Sequence, residues 1–467
     1  MLNKDLMYDI IVIGAGNAGL CATISGIQRG ARVLVVEKSP KYLRGGNSSL
    51  TMNFRFPHTS IEDILFLIDK DDSRRSELLK EYKSYSPEQM YQDIMRITKR
   101  QASHEILTCL VRHGFETIRW LYSLGHRWEV KPNILSGSLP IRIKGSGSKL
   151  QEINFSVAER MGAHFLYDTE LQDIAFNKEK IEVVTSRGVF YSRNLILACG
   201  SFQANKTLRK RFLGEEWKDI NLRGVPFNTG KGIELALKHQ FKLSGDYSSC
   251  HATPQCSKFS EILPGDNEKS QNNSRYAFNF GITVNKKGLR FFDEHADLPN
   301  FLYAKFGSAI IKQPDAIAFQ IFDSCSIQKV SHGYFLTNNL FRADSLRGLA
   351  YAVKIPVENL EMTIAQFNQN FKNHRINLTH FKSKEKPSPI EVKPFYIAPV
   401  RAGLTFCYGG IKIDSSARIV SKSGYVFRNI FAVGELAGGL YYHNYAGGTG
   451  LLFGSHFGRI AGQMAEW

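Results

Sequence analysis

Several chemistries are missing from this chain. None of its seven cysteines (Cys21, Cys109, Cys199, Cys250, Cys256, Cys325 and Cys407) forms a CxxC pair. That argues against a zinc ribbon, an iron–sulfur cluster of its own or a complete disulfide framework, and no metal site is expected. An odd, scattered thiol count fits a reducing compartment. No apolar run approaches the ~18 residues that a membrane-spanning helix needs. The opening residues, MLNKDLMYDI, lack a signal-peptide core and run directly into a strand. The expected place is the cytoplasm, with peripheral contact on the inner face of a membrane as an alternative. Repeats, low-complexity segments and a long basic tail are absent. Acidic residues are in deficit: 43 Asp and Glu face 60 Lys and Arg, a net charge of +17. The basic residues are thinly spread, with short runs at 206–211 and 382–386. This pattern argues against nucleic acid and for small anionic substrates or an anionic surface.

What is present is an ordinary globular composition, 43% hydrophobic and 22% charged over 467 residues. That length suggests about two to three domains. Residues 8–13, YDIIVI, read as a short buried parallel strand. They lead into Gly14-Ala15-Gly16-Asn17-Ala18-Gly19, an amphipathic helix to about Arg29, and a second strand, 32–36, that ends at Glu37. Gly14 permits a tight turn, Gly16 lets a phosphate approach the backbone, and Gly19 lets the helix pack on the sheet. Glu37, 18 residues past Gly19, suits a ribose diol. The unit predicts dinucleotide binding; the structural alternative is a βαβ turn whose glycines serve packing alone. Its place at the start of the chain fits FAD better than a nicotinamide cofactor.

A second segment fits the same cofactor. Phe431-Ala432-Val433-Gly434-Glu435 reads as a strand ending in an acid suited to ribitol or ribose hydroxyls. Tyr441 to Leu451, YYHNYAGGTGL, leads into the last helix, whose N-terminus is expected to face the flavin pyrimidine. Between these ends, 60–125 reads as helical, with Ser86-Pro87-Glu88 as a helix start, and 163–198 as short strands. Residues 250–400 are mixed, with helices near 342–354 and 357–373, and 411–431 returns to strands.

Residues 7–55, 144–235, 247–305 and 394–467 together resemble the FAD-dependent fumarate reductase and succinate dehydrogenase flavoprotein superfamily. Arg44-Gly45-Gly46-Asn47-Ser48, Cys250-His251-Ala252-Thr253, the run Val284 to Phe291 and Asn444 to Gly450 look most like its tricarballylate dehydrogenase branch. That branch in turn resembles the flavoprotein part of an aerobic precorrin-3B synthase. The resemblance implies an α/β fold: a Rossmann-like FAD domain, a parallel sheet with helices and a small β-meander, carrying an inserted α+β capping domain. The FAD domain would comprise 1–249 and 404–467, and the cap 250–403. The implied cofactor contacts are Gly14, Gly16, Asn17, Ala18 and Gly19, then Glu37 and Lys38, then Gly45, Gly46, Asn47 and Ser48 along the flavin. Leu171 would sit by the adenine. Ala198, Gly200, Gly434, Glu435, Gly448, Thr449, Gly450 and Leu451 complete the set. Asn47 stands where relatives carry a covalently linked histidine, so FAD is expected to be noncovalent. Cys199 stands for the usual Thr, and Lys231 for an Asp.

The family's fumarate-reducing groups are missing. Leu298 and Tyr445 occupy arginine positions, and Thr405 to Gly410 contains no histidine; His251 is retained. The resemblance therefore implies oxidation of a carbon–carbon single bond of a small polycarboxylate such as tricarballylate. Hydride would go to flavin N5 and the proton to a base. Tyr445, His251 and His443 are the catalytic candidates. Arg55, Arg275, Arg401, His251 and Thr405 are the substrate-binding ones, since arginine forks match carboxylates. Most have a structural alternative: Tyr445 packing on the flavin edge, His251 and His443 as satisfied histidines, and Arg55 and Arg401 as solvated surface. Arg290 reads as a cap-holding residue. Electrons would pass to a separate membrane iron–sulfur, quinone-linked protein. Alternatives are a precorrin-3B-synthase-type oxygenase or oxidase, a fumarate-reductase-like or ketosteroid-type oxidoreductase, and a non-catalytic FAD carrier.

Overall fold

A strand with no polar alternation has to be covered on both faces, and β1 (Met7–Ile13) is: Tyr8, Ile10, Ile11, Val12 and Ile13 are all buried. The computed structural model of the chain describes residues 7–131, 140–177, 179–376, 378 and 386–467. Most of the basic run at 382–386 lies outside them. β1 pairs in parallel with β2 (Val33–Val36) on one side and β8 (Gly188–Leu197) on the other. The sheet grows outward in parallel through β5 (His164–Leu166) and β18 (Val426–Ala432), and β17 (Arg418–Val420) closes one edge antiparallel. β6 (Leu171–Phe176) and β7 (Ile181–Thr185) form the small antiparallel meander on β8.

The helix Asn17–Gln28 lies on this sheet, and the helix Thr449–Met464 lies on that helix. The second contact is backbone to backbone, because a Cβ on Gly458 would collide with the Ala18 carbonyl. The two sequence-distant cofactor segments are joined this way. A short third sheet, β10 (Leu243–Ser244), β16 (Gly410–Lys412) and β19 (Ala437–Gly438), ties the same region together.

The helix Pro87–Ile97 begins as expected: Ser86 and Gln89 form a capping box, with Pro87 in the first turn and Met90, Ile94 and Ile97 buried. Upstream, the expected continuous helicity is broken into Glu62–Leu65 and Arg75–Glu81. Asp72 is the cause: its carboxylate accepts from Arg74 N–H and from Val130 N–H, which fixes a turn and recruits a strand. That strand, β3 (Trp128–Val130), pairs with β4 (Ile141–Ile143) in a ribbon that was not anticipated.

The cap is built on β15 (Phe395–Cys407). It pairs with β11 (Cys250–Cys256), with β13 (Ile317–Phe322), which carries β12 (Ile282–Asn285), and with β14 (Phe341–Ala343). The stretch near 342–354 thus begins as a strand and becomes helical only at Leu346, where Ser345 caps the helix. The expected boundary at 403/404 falls inside β15. A further strand, β9 (Asn221–Leu222), pairs with β15 in parallel, so the cap sheet includes a strand from the cofactor side.

Candidate active site

One cavity of about 620 Å3 runs between the glycine turn and the cap sheet. At one end its wall is largely backbone. Gly14 has φ +103°, and a Cβ there would lie 2.5 Å from the Ala198 carbonyl oxygen. The helix that follows starts at Gly16 with no side chain of its own as cap; Asn17 N–H donates to Ser48 Oγ at 3.2 Å, and the Ala18 and Gly19 N–H groups remain available to an anion. Glu37 accepts from Ala15 N–H at 2.7 Å and from Ser39 N–H at 2.8 Å, and it keeps further lone pairs for hydroxyl donors. Lys38 and Leu171 line this end, and Lys38 Nζ donates to Glu170 and Thr229.

Further along, Gly46, Asn47, Ser48, Ala198, Gly200, Gly434 and Glu435 line the wall. Burial pushes the Glu435 carboxyl up to about 7, although Asn47 Nδ2 (2.8 and 3.1 Å) and Asn228 Nδ2 (3.1 Å) donate to it. A buried carboxyl in that condition is suited to hydroxyl donors from a bound molecule. The uncapped helix start, the lone-pair-bearing Glu37 and Glu435 together fit the phosphate and hydroxyl groups of FAD. Asn47 is fully committed: Nδ2 also donates to Thr405 O, and Oδ1 accepts from Val225 N–H. Gly448, Gly450 and Leu451 line the next stretch of wall. Gly19, Gly45 and Thr449 are not on the wall; they belong to the turns and helix starts that shape it.

The other end is made of side chains. His251 is sandwiched by rings: Phe406 at 5.4 Å, nearly parallel, and the edges of Tyr445 at 4.8 Å and Tyr303 at 5.2 Å. Both of its ring nitrogens are buried without a partner. Burial and the Arg223 charge hold its pKa well below the usual histidine value, so it is neutral. Tyr445 Oη accepts from Gly450 N–H at 3.0 Å; burial raises its pKa, keeping the phenol protonated. Tyr303 is held protonated in the same way. Thr405 lines the cavity and accepts from Arg223 Nη1 at 3.2 Å.

Four sequence-predicted residues are placed elsewhere. Arg55 is fully buried behind the wall: Nε donates to Gly447 O at 2.9 Å and Nη1 to Tyr85 Oη at 3.1 Å. It braces the Gly447–Gly448 turn rather than lining the cavity. Arg275 spends its fork on the carbonyls of Asn272 and Ser274 and on Thr337, and stacks on Tyr334. Arg401 donates to Asp315 O, four residues and so about 13 Å along β15 from Thr405. His443 has φ +59° and turns to Asp246, 3.6 Å away. Arg290 holds Glu294 at 2.7 Å inside the cap, in line with its structural reading.

The structure supplies others that were missed. Arg223, Tyr276, Tyr303 and Lys131 line the cavity. Arg223 follows β9, and its N–H donates to Leu404 O at 2.8 Å, so a tertiary strand pairing delivers it. Its Nε is buried and unpartnered. Among the described residues no helix is long and apolar enough to cross a membrane.

Comparison with known proteins agrees with this geometry. Residues 76–451 match the family described as FAD binding domain, and residues 9–124 match FAD dependent oxidoreductase. The chain is 24% identical to a probable fumarate reductase, Ifc3, of Shewanella frigidimarina (strain NCIMB 400), over 98% of this chain and 74% of that one. It is 26% identical to NADH:acrylate oxidoreductase of Vibrio harveyi, over 98% of this chain and 50% of that one. Among solved structures, 3-ketosteroid-Δ4-(5α)-dehydrogenase from Rhodococcus jostii RHA1 shares the fold with a TM-score of 0.75 at 20% identity, over 100% of this chain and 98% of that one.

Proposed function

We propose, for a chain that belongs to the FAD binding domain family and is an FAD-dependent oxidoreductase of the fumarate reductase superfamily, that it oxidises the carbon–carbon single bond beside a carboxylate of a small polycarboxylate, tricarballylate being the specific reading. The carrying observation is Arg223, a cavity-lining guanidinium with an unpartnered Nε, beside the neutral His251 and the hydroxyls of Tyr303 and Tyr445. Bound FAD supplies a two-electron acceptor. Arg223 takes the carboxylate with its free edge, and Thr405 steadies the other edge. Masking that charge acidifies the neighbouring C–H. His251, neutral and unpartnered, donates or accepts one hydrogen bond to the substrate without adding charge. Tyr445, once ionised, receives the proton: the Gly450 N–H donates to its oxygen and stabilises the phenolate that must be present before the transfer. Electrons leave to a separate membrane iron–sulfur protein, a reading supported by the lack of any cluster motif here and by the net charge of +17.

A second reading, reduction of the corresponding unsaturated acid, is favoured by the raised pKa of Tyr445: a protonated phenol is a ready donor. The name of one relative, a probable fumarate reductase, supports the same direction. One anaerobic experiment with the FAD-loaded protein separates the readings. Bleaching of the flavin band by tricarballylate supports oxidation. Recovery of dithionite-bleached protein by aconitate, without bleaching by tricarballylate, supports reduction. Response to a neutral ketosteroid alone overturns the polycarboxylate reading.

A further inference from the structure

We infer that Lys131 is the second carboxylate anchor of this cavity and that it selects di- and tricarboxylates over monocarboxylates, an inference that rests on the polycarboxylate reading above. Lys131 follows β3 and is pinned at the end of the β3–β4 ribbon, where its N–H donates to Pro140 O at 3.0 Å. The ribbon is fastened to the segment after the flavin-side glycines by Ile143 N–H to Met52 O, 2.9 Å. Lys131 and Asn53 therefore line the cavity together.

Neither side chain is satisfied. The Lys131 ammonium has no hydrogen-bond or carboxylate partner among the described residues. Asn53 Oδ1 is buried without a partner. The neighbours are cations. Burial and the Arg55 and Arg142 charges push the ammonium down to about 7. Arg142 is paired with Glu129 at 2.6 Å; Arg55 is bonded to Gly447 and Tyr85 and keeps a buried, unpartnered Nη2. A cavity-lining lysine in that setting is balanced by an anion from outside the protein.

Lys131 and Arg223 line the same cavity as His251, Tyr303 and Tyr445. The Arg223 charge is felt by His251 and Tyr303, and the Arg55 charge by Lys131, Tyr303 and Tyr445. A monocarboxylate engages Arg223 alone. A second carboxylate on the same carbon chain meets Lys131 and favours the ammonium, which takes its proton from solvent.

The test is calorimetric titration of the FAD-loaded protein with tricarballylate, glutarate and valerate, the last two being a dicarboxylate and a monocarboxylate with the same number of carbons. K131M is expected to weaken tricarballylate and glutarate roughly 30-fold and to leave valerate within about twofold. K131R is expected to keep the dicarboxylate affinity, and R223M to weaken all three. Flavin absorbance and the melting temperature of each variant report that the fold is intact. Equal losses for valerate and glutarate in K131M, or no loss at all, overturn the Lys131 inference and leave the polycarboxylate reading standing. Failure of the wild-type protein to bind any of the three acids overturns both.

Discussion

The Glu37 end of the cavity and the Tyr445 end are held together by different means. At the first, backbone does most of the work: a glycine turn against Ala198, an uncapped helix start, and a carboxylate fixed by two N–H groups. At the second, the chemistry sits on side chains delivered from β9, β11, β15, the β3–β4 ribbon and the helix Pro299–Ile310. The difference teaches where change is tolerated. A backbone site fails as a whole when one glycine acquires a Cβ. A side-chain site loses one function at a time.

The largest expected effect breaks the backbone end. Gly14→Val puts a β-branched side chain at φ +103° against Ala198. It should cost about 3 kcal/mol or more and yield colourless protein, checked by flavin absorbance after gel filtration. Tyr445→Phe comes next and attacks the other end alone. FAD content should hold while the rate of flavin reduction falls roughly 100- to 1000-fold, the usual scale for a general acid or base. In the wild-type protein the raised tyrosine pKa gives the sign of the pH effect. Oxidation needs the phenolate, so its rate rises as pH climbs towards that pKa; reduction needs the phenol and stays flat over the same range. A flat oxidative profile would remove Tyr445 from the proton step. Arg223→Met should lower kcat/KM by roughly 30-fold or more, again with FAD retained. The smallest effects sharpen the contrast. Arg401→Ala and His443→Ala, lying off the cavity wall, should change kcat/KM less than about twofold, on the scale of surface substitutions; a tenfold loss in either would return it to the site.

The backbone end was legible in the sequence because its signals are local. Gly14 to Gly19, the flanking apolar strands and Glu37 lie within one supersecondary unit, and spacing alone carries the argument. Glu435 was legible for the same reason, at the end of an apolar strand. His251 and Thr405 were reachable only through the resemblance, as parts of ordered motifs. Arg223 carries no periodic signal; it reaches the cavity because Asn221 and Leu222 pair with Gly403 and Leu404. Tyr303 reads as one more aromatic on an amphipathic helix. Lys131 flanks a ribbon that propensity does not announce, since Asp72 completes it from a distance. Arg55, Arg275 and Arg401 stood beside the right motifs, yet sequence proximity does not fix where a guanidinium points. Each donates to a carbonyl oxygen of its surroundings, which turns it away from the cavity wall.

The seating of β18 beside β8, and of Thr449–Met464 on Asn17–Gln28, has a consequence for biosynthesis. A ribosome releases the glycine turn before the cap and its covering helix after it. Until residues 426–464 have emerged, the nascent nucleotide half lacks one strand of its sheet and the cover of its first helix. The cofactor site is therefore completed only after the cap has been made, and FAD serves as a clasp between two distant segments rather than as the seed around which the first of them collects.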